Sequence, residues 1–201
     1  MASFHEGRAR LLWPGRDASG EEERSARPER GVLEERGRLL RVQEVLEDKE
    51  RLYWLQQELL EKRPVLVQVG LSLPGGYLRY EWQRLFADAV EMTKAGLSWV
   101  GAIIREEIRV HTCFGPLCLL ALDETDARVV KRSMVTVEES SPKGRLWDLD
   151  VIVAEGVVDR GMLGMAPRRC LVCSEDAHTC RKRGAHKPDE VISAARRLLD
   201  V

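Results

Sequence analysis

The stretch Gly144-Arg145-Leu146-Trp147-Asp148-Leu149-Asp150-Val151 constrains this chain more than any other. Residues two apart in an extended segment point the same way, so Asp148 and Asp150 share one face of a predicted strand. Leu149 and Val151 take the other face, and Val151-Ile152-Val153 carries the strand into a core. Two carboxylates held side by side repel each other. A hard cation such as Mg²⁺, shared with phosphate oxygens, relieves that repulsion. Gly144 and Arg145 suit a phosphate-facing mouth. By itself, an Asp-x-Asp pair equally describes the solvated face of an edge strand, so the rest of the chain has to decide.

A chain of 201 residues suffices for one domain with a core, or for a domain with a small appendage. Lys and Arg number 32 and Asp and Glu 33, so no whole-molecule field favours nucleic acid, and any basic site must be local. No run reaches the length of a membrane span and the opening residues lack a signal-peptide core, which makes the cytoplasm the expected compartment.

Residues 1–31 are rich in Arg, Glu, Gly, Ser and Pro and are expected to form a poorly ordered extension. Residues 32–201 are expected to form the functional domain. Leu39, Val42, Leu46, Leu52, Leu55 and Leu59 recur at helical steps, giving one or two helices that end before Pro64. Val65 to Leu73 alternates as a strand, broken by Pro74-Gly75-Gly76. Leu78, Trp82, Leu85, Phe86 and Ala89 mark a helix that Gly96 is expected to terminate. Ile103–Cys113 and Leu117–Leu122 read as a hairpin, and Val130, Met134 and Val137 as a helix. Pro188 opens a last helix reaching Leu199. The order helix, strand, helix, strand, strand, helix, strand implies an α+β single domain. Its sheet is mixed or antiparallel with helices packed on it, and a C-terminal Cys/His knuckle and helix follow.

No dinucleotide fingerprint, nucleoside-triphosphate loop or hydrolase triad is present. The cysteines offer a metal instead. Five are present, and Cys170, Cys173 and Cys180 with His186 give the spacing Cys-x₂-Cys-x₆-Cys-x₅-His, which suits a closed structural Zn²⁺ site. His178 competes as fourth ligand. The thiols are otherwise read as small core residues. Residues 167–187 carry six basic side chains against two acidic ones, a patch suited to phosphates or to an acidic protein. Set against the aspartates, it completes a phosphoryl-transfer site.

The blocks Gly144-Arg145-Leu146-Trp147-Asp148-Leu149-Asp150-Val151, Pro167-Arg168-Arg169-Cys170-Leu171-Val172-Cys173 and Cys180 to His186, in that order, resemble the apo-citrate lyase phosphoribosyl-dephospho-CoA transferases, also called holo-acyl-carrier-protein synthases of citrate lyase. The resemblance runs from about residue 38 to the C-terminus. It implies that the phosphoribosyl-dephospho-CoA prosthetic group passes from a triphosphoribosyl-dephospho-CoA precursor to a serine of the acyl carrier subunit of citrate lyase, with pyrophosphate leaving. Asp148 and Asp150 would be catalytic and hold Mg²⁺, and Arg145, Arg168 and Arg169 would contact the triphosphate. Glu138 and Asp159 are candidates for a third carboxylate. Two other readings stand beside this one. The first is a zinc-binding interaction module that docks an acidic protein or nucleic acid. The second is a nucleotidyltransferase with another acceptor.

Overall fold

The computed structural model describes residues 10–12, 30–123 and 125–200. Most of the expected extension, residues 1–31, lies outside the described residues. Its described part comprises a three-residue strand, β1 (Arg10–Leu12), and the first residues of helix α1 (Arg30–Lys62). The remaining elements are β2 (Val65–Leu71), α2 (Trp82–Trp99), β3 (Ile104–Thr112), β4 (Gly115–Leu122), α3 (Ala127–Glu139), β5 (Trp147–Val153), β6 (Gly156–Val158), α4 (Ala177–Arg183) and α5 (Pro188–Leu199).

The strands form one sheet in the order β1-β3-β4-β2-β5-β6. All neighbours are antiparallel except β1, which runs parallel to β3. The sheet is thus mixed and the domain α+β, as the element order implied. The central strands β4 and β2 are largely apolar on both faces because helices cover both, while β5 is apolar on the side of α2 and α3 and carries Asp148 and Asp150 on the other. On one face Val65, Val67, Val69, Cys118, Leu120, Leu122, Leu149 and Val151 meet Leu85, Phe86, Ala89 and Val90 of α2, Val130, Met134 and Val137 of α3, and Ala195 of α5. On the other face Leu66, Leu119, Ala121 and Ile152 meet Leu59 of α1. Each large aliphatic side chain buried this way contributes roughly 1.5–3 kcal/mol.

Helix α1 forms over a Leu-, Glu- and Arg-rich sequence and stops at Lys62, because Pro64 pushes Arg63 out of the helical region. Its line over the sheet decides where a site can open. Gln56 donates to Gln68 of β2 at 2.8 Å, and further toward the N-terminus Asp48 accepts from the Cys113 amide beyond β3 at 2.6 Å. The helix therefore crosses diagonally from the end of β3 toward β2. It leaves uncovered the corner beyond Gln68, where Gly70 pairs with Asp148.

Two local expectations are corrected. Gly96 does not end α2, which continues to Trp99 before the chain turns at Gly101 with φ 71°. Gly96 lies inside the helix, where α3 approaches so closely that a Cβ would sit 2.6 Å from Val137 Cγ2. Gly144 to Leu146 are not strand either, since Lys143–Leu146 forms a 3₁₀ turn and β5 starts at Trp147. Gly144 is buried there, and a Cβ would lie 2.4 Å from the Glu138 carbonyl oxygen. Backbone cannot yield as a side-chain tip can. Gly144→Ala is expected to lower the unfolding free energy by about 1–3 kcal/mol in urea titration, because the turn that delivers the chain to β5 must open.

Candidate functional site

The two aspartates leave β5 on the same face as Ile152, the face that α1 covers, but at the end of the strand that the helix does not reach. Asp148 is exposed, and no side-chain hydrogen bond or ion pair reaches Asp150 among the described residues. The nearest cation is the Arg168 guanidinium, 3.9 Å from Asp148 Oδ1. Asp150 is partly buried, and burial with the adjacent Asp148 charge pushes its carboxyl up to about 6, against the opposing pull of Lys131. Such a pair, short of compensating charge, fits a divalent cation.

Asp148 borders an open groove of about 1100 Å³ lying between the loop after β2, the start of β5, the Cys/His segment and α5. Ser72, Pro74, Arg145, Arg168 and Arg169 lie along it. The three arginines have different roles. Arg145 donates to the Cys170 carbonyl at 2.7 Å, which ties the turn before β5 to the Cys/His segment. Arg168 donates to the Trp147 carbonyl and lies 3.7 Å from Glu138. Arg169 is exposed, and its side chain makes no hydrogen bond or ion pair among the described residues. Arg169 is therefore the guanidinium most available to an anionic ligand. Arg145 and Arg168 would offer only their remaining donors.

The Cys/His segment closes on itself. The Cys170 amide donates to the Glu175 carbonyl at 2.7 Å, Asp176 caps α4, and the short helix carries Cys180 inward. The ligand atoms of Cys170, Cys173, Cys180 and His186 lie within 4.8 Å of one another. Cys173 Sγ is 3.5 Å from Cys180 Sγ and 3.3 Å from His186 Nε2. His178 is exposed on α4 beside Arg181, so His186 is the histidine in the cluster. Burial raises the Cys170 thiol, but the Val172 and Cys173 amides outweigh it and hold the thiol below its ordinary range. Amides pointing at sulfur favour thiolate, and a Cys₃His set of this compactness could hold a tetrahedral metal. Cys118, by contrast, is fully buried in β4 and pushed up to about 12 by burial, an ordinary core thiol.

Neither candidate for a third carboxylate is free. Glu138 is buried, accepts from the Leu149 amide at 3.1 Å and pairs with Arg160 at 2.7 Å. Asp159 caps the following turn through the Met162 amide. The sequence reading passed over Lys131 and Arg160. Lys131 and Glu138 lie seven apart beside the apolar stripe of α3, and charged residues at inward positions were the available signal.

Comparison with known proteins places this chain among transferases. Residues 40–201 match the family described as apo-citrate lyase phosphoribosyl-dephospho-CoA transferase. Relatives bearing that name from Escherichia coli O1:K1 / APEC and from Escherichia coli O9:H4 (strain HS) are each 30% identical over 162 residues, covering 79% of this chain and 88% of the relative. The chain belongs to this family. No helix among the described residues is long and apolar enough to cross a membrane.

The raised Asp150 carboxyl predicts a pH effect whose sign is fixed. Between about pH 4 and 6 the folded protein holds a proton that the unfolded chain has released, so stability from this group is present below pH 4 and lost as pH rises through 6. In magnesium-free buffer, Asp150→Asn is expected to be more stable than the parent at pH 7.5, by on the order of 1–2 kcal/mol after allowance for solvent screening. The difference should vanish near pH 4, as read by denaturant titration at the two pH values.

Proposed function

We propose that this protein transfers the phosphoribosyl-dephospho-CoA group from a triphosphoribosyl-dephospho-CoA precursor to a serine hydroxyl on the acyl carrier subunit of citrate lyase, releasing pyrophosphate. The observation that carries this reading is the Asp148/Asp150 pair, with Asp148 bordering a nucleotide-sized groove, in a chain that matches the transferase family over residues 40–201. In the reaction the serine oxygen forms a bond to the phosphorus next to the ribose. The bond from that phosphorus to the pyrophosphate oxygen breaks, and the serine proton passes to solvent or a base. A phosphodiester remains on the carrier.

Asp148 and Asp150 would hold Mg²⁺, which when bound supplies a Lewis acid for the attacked phosphate and charge neutralisation for the leaving group. Arg169, with the unspent donors of Arg145 and Arg168, would orient the triphosphate chain and stabilise charge as it moves onto pyrophosphate. The walls of the groove would screen one side of a bound triphosphate, and the open corner beside α1 would leave room for a protein acceptor. Cys170, Cys173, Cys180 and His186 would bind a structural Zn²⁺. With all four positions filled by protein, such an ion has no open site for chemistry. The substrates belong to the cytoplasm, where the thiols remain reduced.

The reading is tested by the intact mass of the apo carrier subunit after incubation with the protein, Mg²⁺ and the precursor. A gain equal to the precursor less pyrophosphate is expected, with Asp148→Ala slowing it by about 10³-fold or more at unchanged melting temperature. No gain with a folded protein would sink the reading. Cys173→Ser should behave oppositely. Elemental analysis should show loss of one bound zinc, and the melting temperature should fall by on the order of 10 °C.

A further inference from the structure

The outer edge of β5 is paired only in part. Strand β6 covers it from Val151, opposite Val158, to Val153, opposite Gly156. One step upstream, where Arg160 would face Leu149, the chain has already turned away into the 3₁₀ segment Gly161–Leu163. The Leu149 N–H and C=O are left on an edge without a strand, and Leu149 is fully buried. Orphaned backbone groups at such depth are costly, and the great majority find partners.

Here the partners come from a helix. Lys131 Nζ donates to the Leu149 carbonyl at 2.8 Å, and Glu138 Oε1 accepts from the Leu149 amide at 3.1 Å. Both side chains belong to α3, and both residues are only 6% exposed. Two buried, oppositely charged groups thus do for one residue what a neighbouring strand would do. The residue they hold lies between Asp148 and Asp150. Glu138 also receives Arg160 at 2.7 Å on its other oxygen and lies 3.7 Å from Arg168, itself the cation nearest Asp148.

We propose that Lys131 and Glu138 are positioning residues for the acidic pair: they clamp the Leu149 peptide and so fix the separation and direction of the Asp148 and Asp150 carboxylates. The inference rests on the reading that this pair binds a divalent cation. An ordinary β6 neighbour could satisfy Leu149, but it would bring backbone up to the flank of the aspartate strand. Side chains reaching from α3 on the opposite face satisfy the same groups without a further strand, and leave room on that flank for the Arg168 guanidinium beside Asp148. Groups that orient metal ligands typically change metal affinity or rate by about 10- to 100-fold when removed.

The test uses the full chain with Lys131→Met, Glu138→Ala and Glu138→Gln, the last keeping an acceptor oxygen for the Leu149 amide. Hydrogen exchange at that amide, relative to Val67 in the adjoining strand, needs neither metal nor turnover. The ratio is expected to rise about tenfold in Lys131→Met and Glu138→Ala and to return toward the parent value in Glu138→Gln. Half-saturating Mn²⁺, followed by its electron paramagnetic resonance signal, should rise about tenfold or more in the first two variants. In the transfer assay kcat should fall, with KM for the precursor within about twofold. General loosening would speed both amides together and leave their ratio unchanged. That result, unaltered Mn²⁺ binding, or a parent protein that binds no Mn²⁺ would overturn the proposal. A parent that binds Mn²⁺ and shows the expected exchange pattern but transfers nothing would overturn the proposed function and leave the clamp standing.

Discussion

The structure is arranged around a repulsion. Asp148 and Asp150 stand on the same side of β5, while Leu149 and Val151 on the other side are locked in the core by α2 and α3. The strand cannot slip by one residue to relieve the carboxylates, because a slip would bury them and expose the core set. It also cannot rotate, because β2 pairs with it through six residues from Leu66 to Leu71. The strain is therefore left at the surface, where a cation and an anionic substrate can meet it. The diagonal course of α1 has the same effect, closing the Leu59 side of the sheet while leaving the Asp148 corner open.

The cationic partners are set by a separate device. Arg145 and Arg168 reach across from opposite sides of the junction between the start of β5 and the Cys/His segment. Each spends part of its guanidinium on backbone carbonyls of the other side. Such hydrogen bonds join two pieces of chain far apart in sequence. They also keep positive charge concentrated at one end of the groove, although the molecule as a whole is nearly neutral.

Much of this was legible in the sequence because the signals were local. The shared face of Asp148 and Asp150, the alternation of Val65, Val67 and Val69, and the Pro188 start of α5 follow from periods of two and 3.6 and from proline chemistry. The spacing of Cys170, Cys173, Cys180 and His186 named a ligand set that the fold does bring together. What escaped depended on distant packing. Gly96 reads as a helix stop until α3 is placed against it, and Gly144 reads as part of a strand until the Glu138 carbonyl is known to lie beneath it. The division of labour among Arg145, Arg168 and Arg169 depends on which carbonyls come near, and no motif encodes that. Lys131 was visible only as a charge at an inward position of α3, and Glu138 was read as a candidate third carboxylate rather than as a partner for backbone, a conflict between pattern and polarity that the partial edge of β5 resolves.

The ties from Arg145 to Cys170 and from Arg168 to Trp147 also carry a consequence for synthesis. The six strands of the described residues are complete at Val158, so the sheet itself needs nothing from the last part of the chain, whereas the apolar layer on the α2 and α3 side is finished only when α5 brings in Ala195. The wall of the groove arrives later, with the thiols and α5. A ribosome-bound or clipped chain that stops before Pro167 would hold its aspartates on a finished strand facing open water, with no compartment for a ligand. The groove beside the aspartates is thus completed last, by a small C-terminal piece that also closes part of the core.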